Sequence, residues 1–401
     1  MALPSIVIGP PVHGHNLWDR EKEIRDTWKA LETSSVLLSS PRRFGKTSIM
    51  LNLVDDPNSG WEAHYLDVEW VKGAEDFVAE IIAELSQKRR PRKLLDGVTG
   101  ALEAAIAKID ELGFADFKIS LRESLKEGWQ DKGKALISNL EKAEKKHIII
   151  ADELPLLVLK IARSKGNGEA EDFLFWLRGL RQMPELRDKV RWIFGGSIGI
   201  RKVLQKVGAG SKILNDLQTI RVREFTKEDA VSFVKALIEK ELNGKEPPSQ
   251  VVEEMLNVIG VPIPYFIQIL VRESLSEMER EGHEVLSEKV IQRAYEQGVL
   301  AGYNRTYFEH YYERLSQYYD PEIARQAREL LAALARHGEL SKAELWTMYE
   351  NRSQGQGLED DFDYVLADLE NDFYVAQDPT SGNYTFGTKV LEDWWRRHHA
   401  I

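Results

Sequence analysis

The residues with the clearest capacity for chemistry form one short run, Ser40-Pro41-Arg42-Arg43-Phe44-Gly45-Lys46-Thr47. A turn of this kind binds polyphosphate when backbone N–H groups and a helix N-terminus converge on one place, so that the ligand's charge meets oriented donors and the positive end of a dipole. Lys46 then reaches the β- and γ-phosphates, the Thr47 hydroxyl sits on Mg²⁺, and Gly45 lets the backbone pass close to a phosphate. The spacing alone is weak evidence, and the context strengthens it. An apolar run, Ser35–Ser39, ends just before the turn, and Ser48-Ile49-Met50-Leu51 opens a helix just after it. Ser40 stands where the usual pattern has a glycine; serine adopts most turn conformations, so binding is expected to survive.

A Mg²⁺ site of this type needs an acidic residue from another strand. Ile148-Ile149-Ile150-Ala151-Asp152-Glu153 supplies one, with Asp152 as the metal carboxylate at the C-terminal end of a buried strand, where open α/β sheets bind ligands. Glu153 then stands where a base can activate the attacking water. Ser197, at the end of Arg191-Trp192-Ile193-Phe194-Gly195-Gly196, is a candidate γ-phosphate sensor, with a helix cap or turn as its plain alternative. Arg178, Arg181 and Arg201 are candidates for meeting transition-state charge, although surface arginine is the commoner role.

The elements that must position these groups can be read from periodicity. Five strands are expected at Ser35–Ser39, His64–Trp70, His147–Asp152, Arg191–Gly195 and Thr219–Arg223, with helices between them that include Ala74–Ser86 and Asp172–Gln182. Residues 94–144 read as a helical insertion broken at Gly100, Gly113, Gly128 and Gly133. From Thr226 helices dominate, at Lys227–Glu241, Ser249–Ile259 and Tyr265–Arg280. After Asp320-Pro321, helices near Glu322–His337, Ser341–Tyr349 and Leu358–Asn371 precede two short strands, Phe373–Gln377 and Asn383–Phe386, joined by a turn-rich tetrad. Three helices and a hairpin predict a winged helix. The expected organisation is an α/β core over 1–225, a helical lid over 226–319 and a winged helix over 320–401.

Composition narrows the chemistry. The 401 residues, 43% hydrophobic and 30% charged, describe a globular chain. The absence of cysteine removes thiolate nucleophiles, thiolate metal ligands and disulfides. No run approaches the roughly 20 apolar residues of a membrane helix, and the N-terminus lacks a signal-peptide layout, so a cytoplasmic location is expected. The net charge of −11 disfavours a broad nucleic-acid surface.

Pro41–Ser48, the Asp152-Glu153-Leu154-Pro155 box, Phe175-Trp176-Leu177-Arg178, Gly195-Gly196-Ser197 and Pro262-Ile263-Pro264-Tyr265-Phe266 together resemble the archaeal-type ATPases, in the STAND branch of the AAA-like P-loop NTPases. The resemblance covers the chain from about Gly14 onward. It implies an AAA-like (ASCE) three-layer core, a helical lid and a C-terminal winged helix, with ATP and Mg²⁺ as ligands. It also implies that a helix begins in Asp19–Glu23, that the Pro11–Leu17 loop lies near the adenine, and that Pro262 packs on the base. Read without it, Pro262 and Pro264 are simply helix breakers.

Three outputs compete for such a core: an ATP-driven switch acting on a protein partner or on a second copy, a DNA-binding ATPase resembling origin-recognition proteins, and a small-molecule phosphotransferase. Residues 320–401 carry 8 Lys/Arg against 16 Asp/Glu, and Leu358–Asn371, the helix that would enter a groove, has acidic residues and no basic one. This favours a protein-facing winged helix. Nucleic acid, if bound, would meet Lys88–Lys93 or Arg396-Arg397. Of the adjacent Trp394 and Trp395, one is expected to pack the last helix and the other to be available to a partner.

Overall fold

The computed structural model describes residues 2–88, 101–107, 113–196, 200–352 and 359–400. The chain divides into two compact units. A sheet unit comprises Arg20–Ser40 and Lys46–Val222; a helical unit comprises Met1–Asp19, Pro41–Gly45 and Arg223–Ile401.

The sheet unit contains α1 (Glu21–Leu31), β1 (Ser35–Ser39), α2 (Lys46–Asp55), β2 (Trp61–Asp67), α3 (Ala74–Lys88), α4 (Ala101–Ala107), α5 (Phe114–Ser124), α6 (Trp129–Ser138), β3 (Lys146–Asp152), α7 (Leu154–Lys165), α8 (Asn167–Gln182), β4 (Val190–Gly196), α9 (Ile200–Lys206) and β5 (Leu217–Arg221). Its five strands are parallel in the order β2-β3-β4-β1-β5. β3 and β4 are buried along nearly their whole length, as central strands covered on both faces must be. The order places β4 between the strand that leads into the Lys46 turn and the strand that ends at Asp152. The carboxylate therefore lies two strands from β1, not on the adjacent one.

Three of the five strand positions follow the sequence expectation to within a residue at each end, and two strands are displaced. β2 runs over Trp61–Asp67 rather than His64–Trp70. The chain leaves the sheet at Asp67, whose carboxylate accepts the Glu69 N–H and turns Val68–Trp70 into a single 3-10 turn. β5 likewise begins and ends two residues early. Of the expected breaks within 94–144, Gly113 and Gly128 do precede α5 and α6. Gly133 instead lies inside α6, where a Cβ would press on the Trp176 and Val78 side chains; Gly100 lies outside the described residues.

The helical unit contains α10 (Lys227–Glu241), α11 (Ser249–Ile259), α12 (Pro264–Arg280), α13 (Glu288–Arg293), α14 (Thr306–Tyr318), α15 (Pro321–His337), β6 (Glu339–Leu340), α16 (Lys342–Arg352), α17 (Glu359–Asn371), β7 (Val375–Gln377), β8 (Tyr384–Phe386) and α18 (Lys389–His399). Pro264 and Pro321 occupy first-turn positions, where a missing N–H costs nothing, so they start helices rather than break them. β6, β8 and β7 form an antiparallel sheet beside α15–α17. The β7–β8 turn is held by Asp378, whose side chain accepts from the Thr380 and Ser381 N–H groups. Trp394 and Trp395 on α18 are both fully buried. The expectation that one indole is available to a partner is therefore corrected. α18 packs along α15, and the rings meet Phe308, Tyr312, Tyr374 and Phe386.

Candidate functional site

In the sheet unit four of the expected residues converge. Lys46 opens α2, and its ammonium lies 3.9 Å from both Asp152 Oδ1 and Glu153 Oε1. The Thr47 hydroxyl donates to Asp152 Oδ2 at 2.6 Å. Because its proton is spent there, the Thr47 oxygen keeps its lone pairs for a cation. Asp152 Oδ1 also accepts the Glu153 N–H at 3.0 Å, and Tyr65, reaching over from β2, donates to Oδ2 at 3.4 Å. Asp152 is 3% exposed. Burial raises its pKa, helped by the Glu153 charge and opposed by Lys46 and the Thr47 hydrogen bond. Burial and the Asp152 charge likewise raise the Tyr65 pKa, so the phenol stays a proton donor.

Glu153 sits in the left-handed region at φ 59° and precedes α7, whose first turn holds Pro155. For a non-glycine residue this conformation costs on the order of 1–2 kcal/mol. The strain turns the chain sharply enough for consecutive side chains, Asp152 and Glu153, to meet the same ammonium.

Gly195 on β4 makes the convergence possible. A Cβ there would stand 2.2 Å from Met50 Cε, 2.9 Å from Asp152 Oδ1 and 3.2 Å from Lys46 Cε. With β4 between β1 and β3, a side chain on this strand would fill the space through which Lys46 and Asp152 meet. Sequence reasoning named this strand for Ser197 and did not assign Gly195 a role. The signal was a glycine inside an apolar strand, which marks a close approach. Tyr65 was missed because nothing in its own segment distinguishes it.

The preceding turn residues, Pro41–Gly45, belong to the helical unit. Gly45 adopts φ 93°, which only glycine takes without strain, and Arg43 adopts φ 74°. Ser40, at the end of the sheet unit's first segment, is buried and outside the positive-φ set, so the usual glycine is not required there. The Arg43 guanidinium lies 4.4 Å from the centroid of the Tyr265 ring and donates to the Gly9 carbonyl at 3.1 Å. Phe44 is 2% exposed and meets Phe373 edge to face, with centroids 5.3 Å apart. Pro41, Arg42 and Phe44 line a crevice with Ile263, Phe266 and Tyr311. Nearby His310 is pushed down to about 2, first by burial and then by Arg42, Arg43 and Arg314, which places it in a strongly positive neighbourhood.

The other expected residues fall as follows. Ser48 is buried in the first turn of α2. Pro262 lies in the helical unit, its carbonyl accepting the Phe225 N–H at 3.1 Å. Ser197 lies outside the described residues, as does most of the basic run from Lys88 to Lys93. Arg181 is not a mobile charge. Its guanidinium is paired with both carboxylate oxygens of Asp216, at 2.7 and 3.0 Å, and also donates to the Ile213 carbonyl, so that candidate is a structural tie.

No protein-family model and no curated protein sequence matches the chain. Solved structures do. A Walker-type ATPase of Pyrococcus abyssi aligns over 98% of this chain and 99% of its own, with a TM-score of 0.63 and 18% identity. The ORC2 protein of Aeropyrum pernix, solved as ADPNP–ADP complexes, aligns over 94% of this chain and 90% of its own, with a TM-score of 0.54 and 12% identity. The parallel five-stranded core with β4 inserted between β1 and β3, and these likenesses over nearly the full length, show the AAA-like P-loop fold.

Proposed function

We propose that the protein is an ATP-binding and ATP-hydrolysing molecular switch in which residues 320–401 act as a winged helix that makes a nucleotide-regulated protein contact, with a partner or with a second copy of the chain. The ligand set supports the first half. In this reading Lys46 meets the β- and γ-phosphates, and Thr47 and Asp152 hold Mg²⁺. The metal supplies neutralisation of phosphate charge. Glu153 orients and deprotonates water, its carboxylate held beside the Lys46 ammonium at 3.9 Å. Arg42, Arg43 and Gly45 extend the positive, N–H-rich turn, and Pro262 is assigned to the base. Ser197 keeps its proposed place beside the γ-phosphate.

The observation that carries the second half is the seating of Phe44 against Phe373. Phe44 is separated from Lys46 by Gly45 alone, and Phe373 lies between α17 and β7, so a movement of the turn on phosphate binding alters a contact of the C-terminal sheet and helices. Arg43 on Tyr265 ties the same turn to α12, the proposed lid. Switches of this kind need a packed element biased by the ligand, and a buried ring pair on the phosphate turn provides one.

Charge argues against a DNA-reading output. Residues 320–401 carry 8 Lys/Arg against 16 Asp/Glu. Arg396 is used locally, paired with Glu392 and Asp393 and donating to the Ala335 carbonyl. The test is turnover and hydrogen exchange of full-length protein with Glu153→Gln. ATP should bind and persist unhydrolysed, and exchange in 359–386 should change on ATP addition. Unchanged hydrolysis would remove Glu153 from its role, and unchanged exchange would remove the switch.

A further inference from the structure

At the other end of the strand that carries Asp152, and on the opposite sheet face by alternation, lies a second cluster. Glu62 and His147 are register partners on β2 and β3, and His64 follows Glu62 by two positions, so all three side chains share one face. His64 Nε2 and His147 Nδ1 are 3.0 Å apart, and Glu62 Oε1 lies 3.6 Å from His64 Nε2. The ligand atoms of all three lie within 4.8 Å of one another. His64 and His147 are 1% and 0% exposed.

We propose that Glu62, His64 and His147 form a binding site for a divalent transition ion of the Zn²⁺ class, independent of the nucleotide site. Tetrahedral Zn²⁺ with bonds of about 2.0–2.1 Å holds its nitrogen and oxygen ligands roughly 3.3 Å apart, and the two close separations here bracket that value. A proton shared between the imidazoles would satisfy one nitrogen pair, but it leaves Glu62 Oε1 buried without a hydrogen bond. A cation satisfies all three atoms at once. Glu84 on α3 lies 3.9 Å from His64 Nδ1. It stands where a carboxylate orients a metal-bound imidazole through its other nitrogen, which fixes the tautomer that directs Nε2 at the metal. The donor set of two imidazoles and a carboxylate suits Zn²⁺ and leaves one position for water, whereas Mg²⁺ prefers oxygen ligands alone. β2 is an edge strand, and the ion would fasten it to β3, with α3 held against it through Glu84.

The experiment is equilibrium competition for Zn²⁺ between a chromophoric chelator and the full-length protein, with Co²⁺ absorption as the geometric readout. The parent protein should take up one equivalent, give the intense visible bands of tetrahedral Co²⁺, and melt at a higher temperature with Zn²⁺ than with Mg²⁺ or excess chelator. Glu62→Gln, which conserves volume and folding, should weaken Zn²⁺ at least tenfold; His147→Gln should abolish stoichiometric uptake. Glu84→Gln should weaken binding about 10–100-fold. Lys46→Ala should bind Zn²⁺ normally, which separates this result from the fate of the nucleotide site. No uptake by the parent protein, octahedral Co²⁺ bands, or uptake unchanged in both Glu62→Gln and His147→Gln would each overturn the proposal.

Discussion

The Thr47 hydroxyl donates a hydrogen bond to Asp152 Oδ2 at 2.6 Å, joining the first turn of α2 to the tip of a strand two places away in the sheet. The carboxylate that accepts it is buried, and its ionised form is held there at a cost that Lys46 offsets in part.

Asp152→Asn should therefore separate stability from function. A carboxyl whose folded pKa is raised destabilises the native state once the pH exceeds its unfolded value, near 4. The amide removes that cost, so the nucleotide-free variant should melt at or above the parent temperature while losing Mg²⁺-dependent hydrolysis by at least a hundredfold. Calorimetry beside a phosphate-release assay checks both; a lower melting point would show that the Lys46 pairing outweighs burial.

Gly195→Ala should lose stability and nucleotide binding together. Its methyl would press against Met50, Asp152 and Lys46, and overpacking of this kind costs about 1–3 kcal/mol. Chemical denaturation with nucleotide titration measures the pair of effects, and a variant that binds ATP normally would refute the crowding argument.

Phe373→Gly tests the ring contact without straining the backbone, because Phe373 already sits at φ 64°. The edge-to-face pair should contribute about 0.5–1.5 kcal/mol beyond its buried area. Basal hydrolysis should remain within a few-fold of the parent, while the ATP-dependent change in hydrogen exchange over 375–399 disappears. Retention of that change would mean the turn communicates by another route.

His310 gives the acid limb a defined sign. Its folded pKa is lowered to about 2, first by burial, whereas an unfolded histidine takes its proton near pH 6.5. Protons thus favour the unfolded chain, and the stability contributed by neutral His310 is complete above about pH 6.5 and declines as the pH falls toward 2. His310→Gln should flatten this part of the stability profile; an unaltered slope from pH 6.5 to 4 would show that other groups carry it.

Much of this is legible in the amino-acid sequence. The runs Ser35–Ser39 and His147–Asp152 read as buried strands because each has an unbroken apolar centre between polar ends, and the convergence of Lys46, Thr47, Asp152 and Glu153 follows from placing their ends at one edge of a parallel sheet. Gly195 and Tyr65 became visible only once strand order was known, since their roles depend on which strand lies between which. The Trp394-Trp395 pair misled for a related reason. Adjacent residues on a helix normally diverge, but α18 is enclosed by α14, α15 and the small sheet, so both indoles are covered. Arg181 was indistinguishable from a catalytic candidate until Asp216 was found beside it, because the pairing spans two distant segments. The Glu62–His64–His147 cluster was likewise hidden, each residue being unremarkable in its own strand.

The most direct test of the central claim is equilibrium ATP binding, with Mg²⁺, by the parent protein and by Lys46→Ala. Saturable binding in the parent that falls by at least a hundredfold in the variant, with the fold intact by circular dichroism, is the predicted result. Equal affinity in the two proteins, or none in the parent, would contradict the assignment of this turn as the nucleotide site.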